Sequence, residues 1–89
     1  MAAPRVSALV IQFAREPVEG AVKTRLIGRL GARGACDLHC QLVRWTCNTL
    51  LEAALADVEL AVTGATDHPL FAACLAQGAR AIRRQRGAD

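Results

Sequence analysis

The sequence predicts an α/β domain built on a parallel sheet, in the order strand, loop, helix, strand, helix, strand. Three observations predict it. Residues 6–13 (VSALVIQF) form a short, β-branched, continuous apolar run, the pattern of a strand covered on both faces. Residues 33–55 repeat at helical spacing. A second apolar run, residues 58–63 (VELAVT), follows that helix, and strands that alternate with helices imply parallel pairing through right-handed crossovers.

Each element has its own signals. Pro4 precedes the first strand, where proline is tolerated. Residues 14–31 hold Pro17, Gly20, Gly28 and Gly31, all breakers or turn formers. A connection this long is uncommon in a compact domain unless it is functional. In the helix, Asp37, Gln41, Arg44, Asn48 and Glu52 make a polar stripe, and Cys36, Cys40, Val43, Cys47, Leu50 and Ala54 an apolar one. Leu38, Leu42 and Trp45 widen the apolar arc, so the helix is expected to be covered on more than one side, with Trp45 packed. Residues 64–67 read as a turn with Asp67 as N-cap. Pro69 then opens a short helix that runs to Gln77 and stops at Gly78. Residues 79–84 are the third strand. Ligands of such sheets bind at the carboxyl ends of the strands, the edge reached by the loop after the first strand and by the tail after the third.

Composition narrows the classes. With 89 residues the chain is one domain or part of one, and about two-thirds of the unfolded surface disappears on folding at this size. Stability is therefore expected to be marginal without a partner. A hydrophobic content of 53% excludes a disordered tail. Aromatics are only 3%, so the core must be built from Ala, Leu and Val. The net charge of +3 is unevenly placed: Arg5, Arg15, Lys23, Arg25, Arg29 and Arg33 lie early, and Arg80, Arg83, Arg84 and Arg86 late. Two basic segments around a nearly neutral middle suit a local anionic ligand. The late cluster has no interleaved aromatics, which argues against nucleic acid. It fits solvated strand-end charge, or help for Lys23 and Arg25 at the phosphate edge.

No signal peptide and no span of roughly 18 apolar residues is present, so a cytoplasmic protein with reduced thiols is expected. Cys36, Cys40 and Cys47 share a helix face, but His39 points off it and a fourth zinc ligand is missing. They read as core. His68, beside Asp67, reads as a helix-start residue.

The chemistry concentrates in residues 13–26 (FAREPVEGAVKTRL). Gly20 permits positive φ and Pro17 stiffens the loop. Lys23 and Arg25 would share one side of an extended stretch and hold a diphosphate, with Thr24 as a further donor. A P-loop needs glycine where Val22 and Pro17 stand, which excludes that motif.

This segment resembles the opening motif of a bacterial glycosyltransferase-like family of unknown function, also described as radical-SAM/selenodomain-associated transferases. The motif is phenylalanine, alanine, a base, any residue, proline, two more, glycine, any residue, then valine-lysine-threonine-arginine-leucine. Every fixed position is matched here. The likeness continues through Leu30 and Gly31, the long helix, residues 58–63, and Gln85 to Asp89, which looks like the family's glutamine-x-glycine-x-aspartate. It covers nearly the whole chain.

The resemblance implies a GT-A fold, a Rossmann-like nucleotide-diphospho-sugar transferase fold, of which residues 1–89 would be a single, truncated N-terminal portion. It implies that Lys23 and Arg25 bind nucleotide phosphates, that Gly20 shapes the loop and that Arg15 assists. A divalent cation, Mg or Mn, is expected for the full-length family. It would be held by an aspartate in a glycine-x-aspartate-x-proline strand that this chain lacks. The isolated fragment is therefore expected to carry no complete metal site and to be inactive. A nucleotidyltransferase-like domain, a non-catalytic remnant or half that needs a partner chain, and a small nucleic-acid-binding module are the alternatives.

Overall fold

A computed structural model of the chain describes residues 8–85. Strand β1 (Leu9–Arg15) leads through a loop and a 3-10 turn (Thr24–Leu26) into helix α1 (Ile27–Ala53). Strand β2 (Asp57–Thr63), helix α2 (Pro69–Gln77) and strand β3 (Ala81–Arg84) follow. The strands form one parallel sheet in the order β1-β2-β3. The expected alternation and parallel pairing are therefore present. No helix among the described residues is long and apolar enough to cross a membrane.

Two crossovers of one hand that step the same way across a sheet leave both helices on the same face. The core lies there. Ala14, Leu60, Val62 and Ile82 of the strands meet Val43 and Cys47 of α1 and Leu70, Phe71 and Cys74 of α2. Gln12 interrupts the apolar run for a reason: it is buried on this face, and its Nε2 donates to the Val43 carbonyl of α1 at 3.1 Å.

The opposite face corrects the expectation that the first strand is covered on both sides. Leu9, Ile11 and Phe13 point away from the helices, and Phe13 is 68% exposed. On the same face Glu59 of the central strand is only 2% exposed. It is shielded by Arg83, whose Nε donates to its Oε1, and by Arg80, whose Nε lies 3.8 Å from its Oε2.

The long helix also differs from its sequence reading. Helical structure begins at Ile27 rather than after Gly31, and the break sits inside it, at Gly31 with φ 74° and ψ 165°. The polar stripe and the buried positions Cys36, Val43 and Cys47 fall as expected. Leu42 and Trp45 do not pack: Trp45 is 65% exposed. Both helices lie side by side on the sheet, so nothing among the described residues covers that side of α1. At the start of α2 the cap is His68 rather than Asp67. Its Nδ1 accepts the Leu70 N–H at 3.0 Å, with Pro69 in the first turn.

Candidate functional site

The carboxyl edge of the sheet is where the loop after β1 lies. Its path is set residue by residue. The Glu16 N–H donates to the Thr63 carbonyl at 2.8 Å, which extends the β1–β2 pairing by one bond. A turn follows, closed by the Ala21 N–H to the Val18 carbonyl at 3.0 Å, with Gly20 at φ 85° in the third position, where glycine is favoured. Val22 then drops into the interior, 3% exposed. This anchor leaves its neighbours Lys23, Thr24 and Arg25 on the surface.

Lys23 and Arg25 reach one cleft, though by a route different from the extended stretch expected. Lys23 is left-handed, φ 51° and ψ 42°, and Thr24–Leu26 turn as a 3-10 helix closed by the Leu26 N–H to the Lys23 carbonyl at 2.9 Å. The left-handed region costs a side-chain-bearing residue about 1–2 kcal/mol. Such strain clusters at ligand-binding loops.

The cleft has a volume of about 500 Å³ and is lined by Arg15, Lys23, Thr24, Arg25 and His39, with Ala21, Val22 and Leu26 beneath. Of the sequence candidates, Lys23 and Arg25 meet here, and Arg15 borders the cleft at the end of β1, at a position in phase with Ile11 and Phe13 and with its carbonyl against His39. Gly20 shapes the loop but lines no part of the cleft. Among the described residues no carboxylate lines it, and its charged lining residues are all cationic. A hard divalent cation takes oxygen ligands, chiefly carboxylates, and this donor set does not fit one. Asp89 lies outside the described residues, and no group of three His, Cys, Asp or Glu residues among those described is placed to hold a metal.

His39 is the residue the sequence reading missed. It is 9% exposed, and its Nε2 lies 2.9 Å from the carbonyl oxygen of Arg15. A carbonyl only accepts, so Nε2 is the donor and carries the proton. The signal was present in the spacing. Ala35, His39, Val43 and Cys47 are four apart and all buried, so a histidine on that ridge had to meet a partner.

Two of the late arginines, Arg80 and Arg83, are engaged away from this cleft, and Arg84 is exposed and does not line it. Arg80 pairs with Asp57 at 3.6 Å and with Glu59, and Arg83 with Glu59. Both are engaged on the open face of the sheet, because strand alternation aims Arg83 there. Arg86 lies outside the described residues.

The cysteines belong to the core or its border. All four are free thiols. Burial pushes the Cys74 thiol up to about 12, with the neighbouring Cys47 adding to the shift, and burial likewise raises Cys47 and Cys40.

A larger groove of about 640 Å³ runs over Leu38, Leu42 and Trp45 on the outer side of α1. A single helix lines it, and Arg44 is its one charged residue. Its polar lining residues, Gln41, Arg44 and Asn48, all come from that one helix. In comparisons with known proteins the chain matches no family model, no curated protein and no solved structure.

Proposed function

We propose that the basic cleft binds the diphosphate of a nucleotide or nucleotide sugar, within a protein of glycosyltransferase type. One observation carries the reading: Lys23 and Arg25 converge on one cleft at the carboxyl edge of a parallel sheet, bordered by Arg15, with no acidic residue among the described ones lining it. In open α/β sheets this edge is where ligands sit. Guanidinium forks and an ammonium are suited to phosphate oxygens, and the same charges would stabilise a diphosphate leaving group. The strained backbone of Lys23 supports a role for that side chain beyond solubility.

The resemblance of residues 13–26 to the glycosyltransferase-like family names the ligand class. On that reading the three strands and two helices are the first part of a GT-A, Rossmann-like sheet. The open face at Leu9, Ile11 and Phe13 supports it, since strands of such sheets are covered on both sides. A cytoplasmic location, where free thiols persist, completes the reading.

The test is calorimetric titration with UDP of the wild-type protein and of Lys23→Ala/Arg25→Ala. Losing two phosphate contacts should weaken binding by at least about ten-fold. Equal affinity in the two proteins would remove the cleft from the account.

A further inference from the structure

The ring of His39, a residue of the cleft wall, is held at one nitrogen, Nε2. Nε2 donates to the Arg15 carbonyl, and it does so whether the ring is neutral or charged. The ring also lines the cleft, and its remaining polar atom is Nδ1, which no described residue engages. In the neutral ring Nδ1 carries a lone pair, which repels a phosphate oxygen. In the imidazolium it carries a proton and becomes a donor.

We propose that His39 is a further phosphate-binding residue of the cleft, donating Nδ1–H as an imidazolium to the bound phosphate. The inference rests on the diphosphate reading above and adds to it a proton taken up from solvent. The charged groups that surround the ring are Arg15 from β1, and Lys23 and Arg25 from the loop and 3-10 turn. On its own helix Cys36, Asp37 and Cys40 lie within three residues. The cations of the cleft and a bound phosphate form alternating charges, with the imidazolium on the phosphate's inner side. One proton moves from water to Nδ1 as the ligand enters, and no covalent bond changes. Binding should therefore strengthen as the solution is acidified.

UDP-glucose is the suitable probe. Both of its phosphates are esterified, so it lacks the second proton that a phosphate monoester releases near about pH 6. Calorimetry across about pH 5 to 8, where imidazoles change charge, should show wild-type affinity rising about ten-fold toward the acid end. Repeating the titration near neutrality in buffers of different ionisation heat should show proton uptake. His39→Gln keeps an amide donor for the Arg15 carbonyl and should bind without pH dependence or proton uptake. The other histidine, His68, caps α2 and lines no part of the cleft, so His68→Asn should keep the wild-type dependence. Wild-type binding that neither varies with pH nor takes up protons would overturn the role of His39 and leave the diphosphate reading standing. The same pH dependence in His39→Gln would overturn it equally. Failure of the wild type to bind at any pH would remove both.

Discussion

The side chain of Glu16 lies so close over the backbone of Gly64 that a Cβ on Gly64 would stand 2.7 Å from both Cβ and Oε1 of Glu16. Glu16 Oε1 also accepts the Ala65 N–H at 3.0 Å. The first residue of the cleft loop is thereby tied to the turn after β2. Gly64 itself has φ 102°, a conformation that side chains rarely adopt. Gly64→Ala combines strain with a clash against a residue adjacent to Arg15. It should cost about 2–3 kcal/mol. Urea unfolding checks this, and an unchanged midpoint would contradict it.

Lys23 should trade stability for binding. Its left-handed backbone is strained in the folded protein, and glycine adopts that conformation freely. Lys23→Gly should raise stability by up to about 1 kcal/mol, the strain relieved less the entropy glycine adds to the unfolded chain. It should also weaken UDP binding. A variant both less stable and equally able to bind would show that the loop conformation has another cause.

Alkaline pH should destabilise the fold through the buried thiols. Cys74 holds its proton to about 12 in the folded protein, against an ordinary value of 9.0. Above pH 9 the unfolded chain therefore binds fewer protons than the folded one. Stability is unaffected by this group below 9 and falls as pH rises from 9 toward 12, by at most about 1.4 kcal/mol per pH unit for one thiol. Cys47 and Cys40 shift in the same direction. Cys74→Ala should lose stability at neutral pH by leaving a small cavity, yet decline less steeply between about pH 9 and 11. Parallel curves for the two proteins would contradict the assignment.

Arg80 and Arg83 should matter to folding and not to ligand binding. Both serve the nearly inaccessible carboxylate of Glu59. Arg80→Ala/Arg83→Ala should lower the urea midpoint, because the Glu59 carboxylate loses both of its cations, though less than for a fully buried pair since the departing side chains admit water. Its UDP affinity should match the wild type. A large loss of affinity at unchanged stability would place these arginines in the binding site after all.

What was legible in the sequence follows from which forces are local. The β-branched run at β1, the 3.6-residue period of α1, Pro69 at the start of α2 and Gly78 at its end each encode an element within a few residues. Gly20 and Pro17 announced a shaped loop, and Lys23 with Arg25 its positive charge. What escaped depends on neighbours far along the chain. Apolar content alone could not say that both helices share one face, which is why Phe13 and Trp45 were expected to pack and are exposed. The partner of His39 lies 24 residues away, at Arg15. The partner of Arg83 is likewise 24 residues away, at Glu59. Their roles appear only once the strands are in register.

The most direct test of the central claim is a titration of the isotopically labelled protein with UDP, followed by amide and imidazole nuclear magnetic resonance. Saturable shifts are expected at Arg15, Lys23, Thr24, Arg25 and His39, with little change at Leu42 and Trp45 on the far side of α1. Saturable shifts centred on Leu42 and Trp45, or none anywhere at millimolar ligand, would contradict it.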